Sequence, residues 1–401
     1  MQEKAITSQI DEYKTELSTE LRLILDYWAR NTVDKTYGGF LGRIDSEERV
    51  VQDAPKGSVL NARILWTFSA AYNHDANPVY LEMASRAYHY ISKHIIDHEF
   101  GGVYWAVDYV GNPLDTKKQV YAIAFTIYAL SEYYSASGVE AARKKAVELF
   151  CLLVDKAYDP IKTGYFEAFT REWSPMDDLR LSAKDENEQK TMNTHLHVLE
   201  GYSNLYRIWP DGTLKEQIRL LLYNFFDHFI DPQSHHLRLF FDENWNGKSG
   251  LVSFGHDIEA TWLLLEAAEV IGDEAMIEKI KKVSMRIAEA TIKGLDTDGG
   301  LWYEYEPASD HLIKEKHWWV QAEAMIGFYN AWQISGNEKY LAISIKNWAF
   351  VKDKILDKVN GEWVWGISEN GEVMPGEDKA GIWKCPYHNS RACLEIIKRI
   401  N

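Results

Sequence analysis

The chain has 401 residues, 46% hydrophobic and 26% charged, an ordinary globular balance that excludes disorder, collagen and a coiled coil. Sixty acidic against 44 basic residues give a net charge of −16, which repels phosphate backbones and anionic lipids and excludes nucleic acid as an expected partner. From the N-terminus, Met1 to Ile10 carries charges and no apolar core of a secretory signal, and no apolar run along the chain reaches membrane-spanning length. Cys151, Cys385 and Cys393 form neither an even framework nor a metal-binding spacing. A protein of the reducing cytoplasm is expected. The 15 Trp, 23 Tyr and 15 Phe fit either a large aromatic core or a site where sugar rings stack on indole.

An aspartate followed by a glycine–aromatic turn recurs along the chain, at Asp34, Asp97, Asp159, Asp231, Asp296 and Asp357. These positions stand 63, 62, 72, 65 and 61 residues apart, and the fourth copy lacks the glycine. Glycine supplies the positive φ, and the aspartate side chain closes the turn. Before each turn the spacing predicts a helix: residues 9–31, 78–97, 140–158, 214–230, 273–293 and 337–356. After each turn it predicts a second, at 58–74, 117–137, 190–208, 255–271, 316–335 and 386–400. The second set is apolar around more of its circumference, as Ala122 to Leu130 illustrates, so it is the buried one. Six pairs of this kind predict an all-α fold, an (α/α)6 barrel with an inner and an outer ring and short β-hairpins at one end. Residues 1–401 are expected to form one catalytic domain. The loops at 167–189 and 366–382, long and polar, are expected lids.

Polar residues on inner helices need partners. Arg63, Tyr121, Asn193, His197, His256, Glu259, Trp319, Glu323 and His388 all fall in the first turns of these helices, with Trp383 just ahead of the last. Asn193 and His197 share a face, as do His256 and Glu259, and Trp319 and Glu323. A single inner histidine reads as a satisfied core group, and Arg63 with a glutamate as a structural ion pair. Coincidence at matching depth in separate repeats reads instead as one site at one mouth of a barrel. His195 points elsewhere and is given no chemistry. A zinc site lacks any strong ligand spacing. A glycosidase would use Glu259 and Glu323 as its opposed carboxylates. Three histidines favour proton transfer near neutral pH.

Five stretches carry a resemblance: Gly57–Tyr72 (GSVLNARILWTFSAAY), Lys190–Tyr206 (KTMNTHLHVLEGYSNLY), Ser253–Leu264 (SFGHDIEATWLL), Trp318–Ala331 (WWVQAEAMIGFYNA) and Trp383–Arg399 (WKCPYHNSRACLEIIKR). The sequence resembles the N-acylglucosamine 2-epimerase superfamily, and within it the cellobiose 2-epimerases. The resemblance implies an (α/α)6 barrel with His256 and His388 as the catalytic acid/base pair, His197 as a third essential histidine and Arg63 beside O1 of the sugar. It implies Glu259 and Glu323 as carboxylates that orient histidines, and Tyr121, Asn193, Trp319 and Trp383 around the substrate. Trp302 is expected to stack the second sugar. One departure is visible: the family's HNGRMC is here His388-Asn389-Ser390-Arg391-Ala392-Cys393.

The expected activity is reversible C2 epimerisation of the reducing-end glucose of a β-1,4-linked disaccharide to mannose through an enediolate. The substrate is cellobiose, with lactose or mannobiose as further candidates. No cofactor and no metal are expected, and a monomer is. The alternative within the superfamily is a monosaccharide enzyme: a mannose 2-epimerase, a mannose isomerase or an N-acylglucosamine 2-epimerase. Outside it stand a non-catalytic sugar-binding protein and a glycosidase.

Overall fold

The computed structural model describes residues 2–400. Its twelve α-helices among these residues alternate between two rings. The outer members are α1 (Gln2–Asn31), α3 (Pro78–Tyr90), α5 (Glu140–Lys156), α7 (Gly212–Asn224), α9 (Glu274–Thr291) and α11 (Glu338–Phe350). The inner members are α2 (Ser58–Asp75), α4 (Val120–Ser137), α6 (Met192–Ile208), α8 (Phe254–Ile271), α10 (Trp318–Ser335) and α12 (Tyr387–Arg399). Each inner helix packs on the next, and α12 packs back on α2, so the ring closes. Each outer helix packs on the inner ring, α1 on α12, and α3, α5, α7 and α9 each touch two inner helices. The protein is an (α/α)6 barrel. Burial follows the division: every side chain from Val120 to Ser131 of α4 is buried, whereas α5 buries only Ala142, Ala146, Leu149, Phe150 and Leu153.

The two ends of the barrel differ because their connections differ. At one end, inner and outer helices join through links of two residues, or three between α6 and α7. Gly272 and Gly336 end α8 and α10 in the left-handed region, and Asp273 and Asn337 then cap α9 and α11 with their side chains. At the other end, long connections carry the aspartate turns. Three outer helices run into these connections through a π turn, at Ile91–Ile95, Phe225–Phe229 and Val351–Ile355. Each turn aspartate accepts backbone N–H groups just ahead of it, as Asp97 does from Glu99 and Phe100 at 3.0 and 3.2 Å. An antiparallel bridge closes each turn.

A buried lysine two residues before an inner helix pins most of these turns. Lys56, Lys118, Lys190 and Lys316 reach Asp34, Asp97, Asp159 and Asp296 at 2.6–2.7 Å. In the fourth repeat that position is Val252, and Arg238 pairs with Asp231 instead. In the sixth, Lys379 holds Asp357. The lysines lie in two-residue strands that pair with the following repeat: Lys56–Gly57 with Ala106–Val107, Lys118–Gln119 with Ala168–Phe169, Lys190–Thr191 with Phe240–Phe241, Lys316–His317 with Gly366–Ile367. The expected hairpins are thus mostly ladders between repeats. They fix one repeat against the next where the loops meet.

Candidate active site

The lysine strands deliver the first turns of α2, α4, α6 and α10 to the loop end beside those of α8 and α12, and a cavity of about 550 Å³ opens there. Arg63, Tyr121, Asn193, His197, His256, Glu259, Trp319, Trp383 and His388 all line it. Glu323 stands one layer behind. Arg180 to Glu186 form part of the wall, as does Glu377, so both expected lid loops reach the cavity. A larger surface cavity of about 960 Å³ around His236, Arg238, Lys248 and Tyr305 contains none of the expected site residues.

The three histidines share one pattern. His388 Nδ1 lies 2.7 Å from Glu323 Oε1, His197 Nδ1 lies 2.9 Å from Glu200 Oε2, and His256 Nδ1 lies 2.8 Å from Ser253 Oγ. An ionised carboxylate only accepts, so His388 and His197 carry hydrogen on Nδ1 and keep a lone pair on Nε2. The Ser253 hydroxyl either donates or accepts, so His256 is free to hold either tautomer. None of the three Nε2 atoms has a protein partner among the described residues. Trp319 packs against both His256 and His388, with ring centroids 4.8 and 5.7 Å away. Burial keeps all three imidazoles neutral, with His256 lowered to about 3. Neighbouring positive charge adds to this for His388, from Arg63 and Arg391.

Beneath the histidines lies Arg391, buried, with its guanidinium on three carboxylates. It donates to Glu259 Oε1 and Glu323 Oε1 at 2.6 Å each and also to Glu200 and the Tyr387 hydroxyl. Burial alone would raise Glu200, but Arg391, His197 and Tyr387 together hold it at about 2. Arg63 donates to the Tyr121 hydroxyl at 2.7 Å and lies over the Phe125 ring, 4.3 Å from its centroid. Glu259, Glu323 and His388 place donor atoms within 4.8 Å of one another. The Arg391 guanidinium already occupies both carboxylates there, so a metal cation would have to displace it or sit beside it.

Three placements differ from expectation. Glu259 does not meet His256: its Oε1 is held by Arg391, and Ser253 holds the imidazole. Trp302 is turned away from the cavity, its indole N–H donating to Asp296 at 3.3 Å, and the next residue, Tyr303, lines the wall and stacks on His317 at 4.0 Å. Ser390, where the resemblance expects glycine, turns its hydroxyl back onto the Pro386 carbonyl inside α12. Glu200, Arg391 and Tyr387 were not anticipated. The first two sit three residues after His197 and His388, the spacing that places residues on one helix face. His195 is structural: its Nδ1 meets the Thr191 carbonyl at 2.7 Å and its Nε2 accepts from the Tyr165 N–H at 2.8 Å. Glu167, also unanticipated, lines the cavity, takes the Thr191 and Thr194 hydroxyls at 2.8 and 2.6 Å, and is raised by burial to about 7.

A family model described as N-acylglucosamine 2-epimerase matches residues 39–392. The chain belongs to the N-acylglucosamine 2-epimerase family. It is 49% identical to the cellobiose 2-epimerase of Bacteroides fragilis over 96% of this chain and 98% of that one. It is 38% identical to the cellobiose 2-epimerase of Ruminococcus albus over 97% and 98%. The solved structure of cellobiose 2-epimerase from Bacillus thermoamylovorans, 40% identical, superposes with a TM-score of 0.92 and covers 97% of this chain and 100% of that one. The family match spans all five stretches quoted above up to Ala392, and so includes His197, His256 and His388.

Proposed function

We propose that this protein epimerises C2 of the reducing-end glucose of cellobiose and related β-1,4-linked disaccharides, giving mannose at that end. The observation that carries the reading is the set of three neutral imidazoles, each anchored through Nδ1 with Nε2 left to the cavity. The near full-length relatives that bear the name cellobiose 2-epimerase support it. A C2–H bond is acidic only beside a carbonyl, so the hemiacetal first opens, with a histidine passing the O1 proton to O5. One imidazole of the His256/His388 pair then takes the C2 proton through Nε2. The C–H electrons form the C1–C2 double bond, and negative charge moves to O1, beside Arg63 and His197. The other imidazole, neutral in the resting site and loaded with one proton from solvent before this step, returns that proton to the opposite face of C2. The charge flows back from O1, and the pair has exchanged roles with one proton conserved. Glu323 accepts from His388 in either protonation state, and Ser253 serves His256 in either. Side chains supply all the proton chemistry, so the reaction as proposed needs no cofactor.

The test is NMR of cellobiose incubated with chelator-treated enzyme in D2O. Deuterium at C2 and a new glucosyl-mannose product are expected. Free glucose would replace the reading with hydrolysis. C2 exchange in mannose or glucose without reaction of cellobiose would move it to a monosaccharide enzyme.

A further inference from the structure

Glu259 lines the cavity and gives Oε1 to Arg391, while its Oε2 is buried without a hydrogen-bond partner. Glu323, on the same guanidinium, is bonded differently. It accepts from three donors: Arg391 and His388 on Oε1, and the Trp262 indole N–H at 3.1 Å on Oε2. Burial raises both carboxyls, but three donors fill the acceptor sites of Glu323 and favour its ionised form, whereas one donor and a bare oxygen leave Glu259 room for a proton. The charges of the buried cluster agree. With the histidines neutral, the guanidiniums of Arg63 and Arg391 balance Glu200 and Glu323, and an ionised Glu259 would leave a buried negative charge uncompensated.

From this we propose that Glu259 is a neutral carboxylic acid in the resting enzyme and that its Oε2–H donates a hydrogen bond to an oxygen at the reacting end of the sugar. This rests on the epimerase reading above and gives Glu259 a role on the substrate rather than on His256. The bond strengthens as that oxygen gains negative charge in the enediolate, and Glu259 then acts beside Arg63 as an oxyanion donor. The groups facing Glu259 are Glu323 from α10, Arg391 and Tyr387 from α12, Glu200 from α6 and Tyr121 from α4. Burial, followed by the charge of Glu323, lifts Glu259 to about 8, so it is protonated at neutral pH.

Glutamine keeps a donor at the Oε2 position and an acceptor for Arg391, but cannot ionise. Glu259→Gln is therefore expected to retain C2 deuterium exchange within about tenfold of wild type, while Glu259→Ala loses about 100-fold or more. Wild-type kcat/KM should fall above the pH of about 8 at which Glu259 ionises, and Glu259→Gln should lose that fall. In the wild type, an infrared difference spectrum on adding cellobiose should show a shifted C=O stretch of a protonated carboxyl. Its absence in Glu259→Gln assigns it against Glu167, which lines the same cavity. A Glu259→Gln enzyme as weak as Glu259→Ala, an unchanged alkaline fall, or no such band would overturn the proposal. A wild-type enzyme that binds cellobiose and shows the band without exchanging C2 would overturn the epimerase reading alone.

Discussion

Glu323→Gln is the substitution that most directly probes the proton machinery. Glu323 Oε1 accepts from Arg391 and His388, and Oε2 accepts from Trp262. Glutamine has one acceptor oxygen, and placing it at Oε1 preserves two bonds, so the NH2 group faces the Trp262 indole N–H. His388 then keeps hydrogen on Nδ1 and its basic Nε2. What is lost is the charge that supports the His388 imidazolium. A hydrogen bond to a charged group contributes roughly 1.5–3 kcal/mol, which at about 1.4 kcal/mol per decade is a fall in kcat of about 10- to 140-fold. Inversion of the tautomer would cost about 10⁴, so the size of the fall tells which occurs. KM should change little, because Glu323 lies behind the cavity wall. The two facing donors, Trp262 and the new amide, should cost about 1–3 kcal/mol of stability, and Trp262→Phe in the same chain should recover most of it. The assay is C2 deuterium incorporation for kcat, urea unfolding for stability and nitrogen NMR for the His388 tautomer. A Glu323→Gln enzyme with wild-type kcat would refute the reasoning.

The turn lysines give a graded test of stability. Lys190→Met strips Asp159 of its buried cation and should cost about 3–5 kcal/mol. Lys118→Met should cost less, because Arg171 also reaches Asp97 at 2.9 Å; equal losses in urea unfolding would contradict this. Tyr303→Ala should raise KM for cellobiose severalfold with kcat nearly kept, whereas Trp302→Phe should leave KM alone, as steady-state kinetics would show. His195 is held neutral by burial, lowered to about 3 against 6.5 in the unfolded chain. The unfolded state thus binds more protons below 6.5, and the stability His195 contributes is complete above 6.5 and lost as pH falls toward 3. Glu259 has the opposite sign. Raised from 4.5 to about 8, it makes wild-type stability fall with rising pH across that window, by at most about 1.4 kcal/mol per pH unit. Unfolding curves of Glu259→Gln across the same range should lack that slope.

The ring was legible because its signals are local. An aspartate turn, a glycine with positive φ and a run of apolar residues each lie within a dozen positions, and six copies made the period visible. The lysines that pin the turns escaped notice because each meets its aspartate only after some twenty or thirty intervening residues have folded back. In the site, helical spacing placed residues on the right face but could not choose among partners on it. Glu259 stands one turn from His256, yet Arg391, 132 residues later, takes its oxygen. Arg391 was readable as the same-face neighbour of His388. Its hub role depends on three other helices and was not. Trp302 lies off the cavity by parity: Leu301 is fully buried, alternate residues of an extended stretch face opposite ways, and a slip of one residue exchanges the cavity side for the other. In this stretch the residue that lines the cavity is Tyr303.

The architecture itself contributes to the chemistry. Arg63, Tyr121, Asn193, His197, His256, Glu259, Trp319, Glu323, His388 and Arg391 all lie within the first six residues of an inner helix. Six helices therefore aim their N-terminal ends at one cavity. Each end carries about half a positive charge, and a partly buried negative group near it gains roughly 0.3–2 kcal/mol. That field favours neutral imidazoles, as burial does, and favours an enediolate oxygen as soon as it forms. It is present before the sugar arrives and needs no rearrangement when charge moves to O1. The same field opposes a doubly protonated histidine pair, and a two-base exchange at C2 requires only one proton on it. An epimerase built on facing loops would have to order those dipoles for every turnover; here the ring fixes them by closing α12 on α2.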